Sequence, residues 1–277
     1  MDIVLQALVM GIVQGLTEFL PVSSSGHLIV VPFLLGWNDP FITSLEFSVM
    51  LHLGTLVALL AYFRADWLRL VPAGLAALRD RSFNGDPDRK LAWLLAAATV
   101  PALVVGLLLN DLIEDRFRQV GLVSLMLVVG GAILWLAERN GPRSRGIGGL
   151  TFRAAIGIGA AQALALIPGI SRSGISISAG LFAGLDRESA ARFSFLMATP
   201  ITALAVAWEA RKVLVGESGV TVDPAALAVG LVASLVAGFA AIALLLRFLR
   251  SNPTHIFVVY RVLLAAVVVI AWLGLAR

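Results

Sequence analysis

Apolar residues run in long stretches along this chain, and polar residues gather in short bands between them. Six stretches reach the roughly 20 helical residues that a hydrocarbon core requires. They cover 45–63, 91–109, 119–137, 192–213, 225–247 and 255–275. Two further regions, 3–36 and 152–185, are apolar but broken by serine-rich segments. Their second arms, 26–36 and 174–184, are too short to span. Each region therefore predicts a re-entrant hairpin: a helix, an irregular turn at membrane depth and a half-helix running back. The first arm, 3–20, is long enough to cross alone, so a topology with extra full crossings is the alternative. The fold class read from this pattern is an all-α polytopic membrane protein with about six transmembrane helices plus two re-entrant helical hairpins.

The two breaks match. Residues 14–27 read QGLTEFLPVSSSGH and residues 162–174 read QALALIPGISRSG. Both run from Gln through Pro to Ser-X-Ser-Gly. Gly11-x-x-Gln14 is repeated as Gly159-x-x-Gln162, and Phe47-Ser48 as Phe193-Ser194. The chain reads as a single membrane domain, 1–277, with one pseudo-repeat over about 1–137, a polar linker at 138–150 and a second pseudo-repeat over about 151–277. One hairpin plus three spans is an odd number of crossings, so the repeats are expected to be inverted and their breaks to meet near the bilayer interior.

Charge sets the orientation. The loop 64–90 carries Arg64, Arg69, Arg79, Arg81, Arg89 and Lys90, and is expected inside together with 138–153, Arg187, Arg192, Arg247 and Arg250. Only Arg116, Arg118, Arg211, Lys212 and Arg277 fall outside. A net charge of +4 on 277 residues follows from this loop bias, which argues against a nucleic-acid partner. With 59% hydrophobic and 14% charged residues and a mean hydropathy of +0.94, the lipid bilayer is the expected solvent. The N-terminus does not read as a cleavable signal, because no basic residue precedes the apolar run and Gln14 and Glu18 interrupt it. Without cysteine, disulfides, thiolate metal sites and cysteine nucleophiles are excluded.

Candidate chemistry lies in the breaks. Gln14 and Glu18 are four apart on one helix face. A carboxylate inside an apolar run faces a polar cavity with a partner. Glu18 offers hard oxygen to Mg²⁺ or Ca²⁺, or serves as a general acid or base. Ser23, Ser24 and Ser25 satisfy freed backbone groups, cap the half-helix or supply a nucleophile. His27, three residues beyond Ser24, pairs with it as base or attacks directly. Arg172 matches phosphate oxygens with its planar fork, alone or in an ion pair with Glu18. Ser171 and Ser173 add hydroxyls, and helices starting near Gly26 and Gly174 present free N–H groups to an anion. His52 reads as a buried hydrogen-bonding histidine, His255 as interfacial and Arg261 as a snorkelling residue. Gly157-x-Gly159 is no dinucleotide fingerprint, since Gln162 stands at the third glycine position.

Three of these segments resemble the bacterial undecaprenyl pyrophosphate phosphatase family, in its bacitracin-resistance branch. They are Gln14-x-x-x-Glu18, the run from Phe19 to His27, and Pro168-Gly169-x-Ser171-Arg172-Ser173. The resemblance extends along essentially the whole chain. It implies hydrolysis of a polyprenyl diphosphate lipid to the monophosphate, dependence on a divalent cation, a site open to the outer face of the bacterial inner membrane, and roles in cell-wall synthesis and bacitracin resistance. Gln14 stands where many relatives carry glutamate, and Ser176 where threonine is common. The type 2 phosphatidic acid phosphatase pattern fits less well, because Ser178 occupies its histidine position. A transporter or flippase for the same lipid is the rival from another class, as broken inverted helices also build transporters. A homodimer is left open.

Overall fold

The computed structural model describes residues 2–83, 85–215 and 220–275. It is all-helical apart from turns and an isolated bridge between Arg145 and Leu185. Among the described residues eleven α-helices follow in order: α1 Ile3–Phe19, α2 Ser24–Leu35, α3 Leu45–Tyr62, α4 Arg64–Asp80, α5 Pro87–Phe117, α6 Val120–Asn140, α7 Phe152–Gln162, α8 Arg172–Phe182, α9 Arg187–Leu214, α10 Pro224–Leu249 and α11 His255–Leu275. Among the described residues, six helices are long and apolar enough to cross a membrane: α3, α5, α6, α9, α10 and α11. They are the six expected stretches, with ends shifted by a few residues where caps fix them. Asp223 caps α10 by accepting from the N–H groups of Ala225 and Ala226, and Ser44 caps α3 through Phe47.

The expected loop at 64–90 is instead largely helical. Helix α4 occupies most of it and α5 begins at Pro87. Leu70 and Ala77 of α4 are buried, and Trp93 of α5 donates its indole N–H to the Gly74 carbonyl. Leu68, Val71, Leu75 and Leu78 form an exposed stripe on the opposite side. Of the basic residues that identified this segment as a loop, Arg64, Arg69 and Arg79 lie on this amphipathic helix.

Both breaks start at a proline. Pro21 disfavours helical geometry for Leu20, which is extended at φ −65°, ψ 141°, and Pro168 does the same to Ile167 at φ −79°, ψ 115°. The chain then turns back through Ser23 and Ser171, both at φ 75°, a region that side-chain-bearing residues rarely occupy. Each is also an N-cap. Ser23 Oγ accepts from Gly26 N–H at 3.2 Å, and Ser171 Oγ from Gly174 N–H at 3.1 Å. The breaks touch each other: Gly169 N–H donates to Ser23 Oγ at 3.2 Å, and Ser173 Oγ–H donates to the Leu20 carbonyl at 2.9 Å.

Close helix packing holds this pair in place. Helix α1 lies on α10 at Gly11, where a Cβ would overlap the Gly230 carbonyl. Helix α7 lies on α5 at Gly159, where a Cβ would overlap the Ala98 carbonyl. Around the breaks, Phe19, Phe63, Phe193 and Phe195 are all about 1% exposed, with the Phe19 and Phe195 rings edge to face at 5.3 Å. At one end, buried Glu138 gathers Arg143, Arg187 and Thr254, tying together α6, the linker, α9 and α11. Arg261 does not snorkel. It is fully buried, because carbonyls freed by the breaks lie within its reach.

Candidate active site

A cavity of about 190 Å³ opens beside the paired breaks. Its polar lining is Glu18, Ser24, Ser25, His52, Gln162, Arg172 and Thr202, set among apolar residues such as Val49, Ala102 and Ile201. A second cavity of about 180 Å³ shares Ser25, Val49, His52 and Leu166 with the first.

Glu18, in the last turn of α1 and 4% exposed, is the hub. Its Oε1 accepts from Arg172 Nη2, which reaches across from the start of α8. Its Oε2 accepts from Ser24 Oγ–H at 2.5 Å and from the Gln14 amide at 3.0 Å, and lies 3.3 Å from His52 Nε2. Arg172 also donates to Thr202 Oγ1 on α9. The sequence expectation of a Glu18–Arg172 pair at the meeting of two helix N-termini therefore corresponds to a contact between residues 154 positions apart.

The placement of Ser24 follows from where α2 begins. Ser24 is its first residue, immediately after the Ser23 cap, so its hydroxyl faces back along α1 toward Glu18. Three residues on, His27 lies only about 60° round the helix from Ser24, but its ring is turned to Tyr260 of α11 and lines neither cavity. Its Nδ1–H donates to the Ser23 carbonyl at 2.7 Å, and its Nε2 accepts from the Tyr260 hydroxyl at 2.7 Å. The expected Ser24–His27 pair is not formed: the serine is bonded to Glu18, and both imidazole nitrogens are occupied elsewhere. A neutral imidazole satisfies both bonds, which leaves His27 no lone pair for phosphorus.

His52 takes the position at the cavity that the sequence suggested for His27. Its Nδ1–H donates to the Ser48 carbonyl at 2.8 Å, so Nε2 faces the Glu18 carboxylate at 3.3 Å. Only its i,i+4 spacing from Ser48 and its polarity inside an apolar span marked it in the sequence. Thr202 carried no signal beyond being polar near Pro200.

The remaining predicted residues divide by function. Ser25 lines the cavity. Ser23, Ser171, Ser173, Gly26 and Gly174 build the turns and the contact between them, and none of them lines the cavity. Ser176 ties α8 to α9 through Ser194 Oγ at 2.6 Å. Two matched glutamines have unsatisfied atoms: Gln14 Oε1, and both Oε1 and Nε2 of Gln162, are buried with no hydrogen-bond partner among the described residues. Gln162 borders the cavity, so its amide is available to a polar ligand there. Among the described residues, no three His, Cys, Asp or Glu side chains are grouped to enclose a metal ion.

A carboxylate, a serine hydroxyl and an arginine fork at one small cavity, among helices of which six are long and apolar enough to cross a membrane, define a polytopic helical membrane protein with a buried polar site. Comparison with known proteins gives the same class. Residues 7–267 match the family described as bacitracin resistance protein BacA, and the chain belongs to that family. A protein of Gemmatimonas aurantiaca is 46% identical over 263 residues, covering 95% of this chain and 96% of its own, and is named undecaprenyl-diphosphatase. A protein of Thermomicrobium roseum with the same name is 46% identical over 273 residues, covering 96% of each chain. One from Desulforudis audaxviator, also so named, is 44% identical with the same coverage.

Proposed function

We propose that this protein hydrolyses undecaprenyl diphosphate to undecaprenyl phosphate and inorganic phosphate in the bacterial inner membrane, recycling the lipid carrier for cell-wall synthesis. The observation that carries this reading is the Ser24–Glu18–Arg172 constellation, held at one cavity by two breaks far apart in sequence. The activity named for relatives sharing 42–46% of their residues with this chain supports the choice of substrate. A cavity of about 190 Å³ suits a diphosphate headgroup, while the long isoprenoid chain stays among lipid and helices outside it.

Geometry favours Ser24 over His27 as the attacking group. The terminal phosphate takes the Arg172 donors now held by Glu18 and Thr202, and the Gln162 amide supplies a further contact. Arg172 thereby leaves the carboxylate, and Glu18 is free to take the Ser24 proton. Ser24 Oγ attacks the terminal phosphorus in line with the bridging oxygen, whose bond to that phosphorus breaks, and undecaprenyl phosphate departs. The proton held on Glu18 passes to the departing phosphate. Water then attacks the phosphoserine and gives a proton to Glu18; inorganic phosphate leaves, and the restored Ser24 oxygen recovers that proton. His27, fixed by Tyr260, braces α2 behind the serine.

A divalent cation, Mg²⁺ or Ca²⁺, fits here only as an ion shared with the substrate. Glu18 and the unsatisfied Gln14 Oε1 would hold it, with phosphate oxygens and water completing the shell, and it would neutralise diphosphate charge. The matched breaks and their mutual contacts also support an inverted pair of repeats with re-entrant hairpins, entering the membrane from opposite sides. A transporter needs no hydroxyl activated by a carboxylate, which favours the enzyme. The test is phosphate release from undecaprenyl diphosphate by the purified protein in detergent with Mg²⁺ or Ca²⁺. Release by wild type and loss in Ser24→Ala is the expected result; binding without release by wild type would make it a carrier.

A further inference from the structure

Among the described residues Arg261 is the largest fully buried side chain, at 0% exposure, and no ion pair to it is found. Its donors all go to backbone carbonyls. Nε donates to Leu127 at 2.9 Å; Nη1 donates to Pro21 at 3.2 Å; Nη2 donates to Gly169 at 2.7 Å and Ile170 at 2.9 Å, with Met126 further off at 3.4 Å. Pro21 belongs to the first break, Gly169 and Ile170 to the second, and Met126 and Leu127 to α6 between them. One guanidinium thus bonds both breaks and the helix they lean on.

Three of the carbonyls it bonds, those of Pro21, Gly169 and Ile170, lie in the non-helical breaks, where no helical N–H follows to take them. Pro21 and Ile170 lie one or two residues before the caps Ser23 and Ser171, whose φ of 75° sets where Ser24 and Arg172 begin their helices. Left without donors in a water-poor interior, these carbonyls would turn to find partners, and the two catalytic side chains would turn with them. We infer that Arg261 is a positioning residue: by clamping Pro21, Gly169 and Ile170 with one rigid fork, it sets Ser24 against Arg172 without touching substrate. The requirement is for the fork rather than the charge, because a lysine ammonium has three donors and cannot span the three segments.

A neighbouring pair of glycines separates this role from a general loss of charge. A Cβ on Gly130 would run into Arg261 Nη2 and come within 2.6 Å of the Ile170 carbonyl oxygen. A Cβ on Gly131 would meet Arg261 no closer than 3.7 Å, which is ordinary contact. Gly130→Ala therefore pushes apart the Arg261–Ile170 contact with Arg261 still present, and Gly131→Ala is its control.

The inference rests on the hydrolase reading for its kinetic measurement only. Arg261→Lys, Gly130→Ala and Gly131→Ala are compared with wild type for kcat and KM on undecaprenyl diphosphate, and for backbone amide exchange over 20–26 and 168–174. Arg261→Lys and Gly130→Ala are expected to lower kcat by about 10- to 100-fold with KM within about threefold, since small misplacements of reacting groups act at this scale. Both should speed exchange at both breaks, while Gly131→Ala matches wild type. Wild-type kcat in Gly130→Ala, or lower kcat with unchanged exchange, overturns the inference. Failure of both variants to fold also overturns it, by making Arg261 a scaffold for the whole protein. A wild type without hydrolase activity would remove the functional reading alone, and the exchange result would still decide the clamp.

Discussion

Arg172 donates to Glu18 and Thr202, and these donors must be given up for it to bind an anion. Arg172→Ala is expected to lower kcat/KM by roughly 30- to 1,000-fold, equivalent to about 2–4 kcal/mol for a charge-assisted contact in a water-poor site. Arg172→Lys should be impaired as well, because a point charge cannot bond a phosphate edge-on while facing Thr202. Steady-state kinetics on the two variants check this, and near wild-type kcat/KM in Arg172→Ala would reduce the arginine to an ion-pair partner of Glu18. Ser24→Ala should lower turnover by roughly 10³-fold or more, as loss of a nucleophile does. Tyr260→Phe should act only through the placement of His27 and cost about tenfold or less. Trapping the phosphoryl intermediate separates the two nucleophiles: an acid-stable adduct is phosphoserine, and an acid-labile one would return His27 to the role.

At the scale of elements, the ends of helices carry the fold as much as their apolar faces do. Glu138 closes α6, is 2% exposed, and accepts from Arg143 at 2.5 Å, from Arg187 Nε at 3.0 Å, and from the Thr254 hydroxyl at 3.0 Å. Removing it leaves two arginines and a buried hydroxyl facing one another. The arginine side chains are 27% and 32% exposed and can turn to water, which reduces the loss below that of a sealed pair. Glu138→Ala is therefore expected to destabilise by about 2–4 kcal/mol, read as a lower unfolding temperature in detergent with KM unchanged in the surviving folded protein. An unchanged transition would mean that the cluster adds nothing to stability. Helix α4 teaches a related lesson. Its arginines pointed to a loop because charge counts report the side of the membrane rather than backbone shape, and the stripe of Leu68, Val71, Leu75 and Leu78 is evident only with helical periodicity applied.

Across the whole molecule, the sequence by itself determined the six long helices, the two breaks and the likeness between the breaks. These depend on length, proline and local polarity, which act within a few residues. It also singled out Glu18, Ser24 and Arg172, because polar groups inside apolar runs need partners. Beyond the Glu18–Arg172 pair, it could not determine who those partners are. Gly11 and Gly159 stand in the sequence only as matched positions of the repeat; the tertiary structure places them against the Gly230 and Ala98 carbonyls, setting α1 beside α10 and α7 beside α5. That placement decides that Ser24 meets Glu18, that His27 turns to Tyr260, that His52 enters the site, and that Arg261 joins both breaks. The physical reason is the direction of the side chains. A helix start fixed by one serine at φ 75° sets the rotation of every residue after it, and that angle depends on contacts from the other half of the chain.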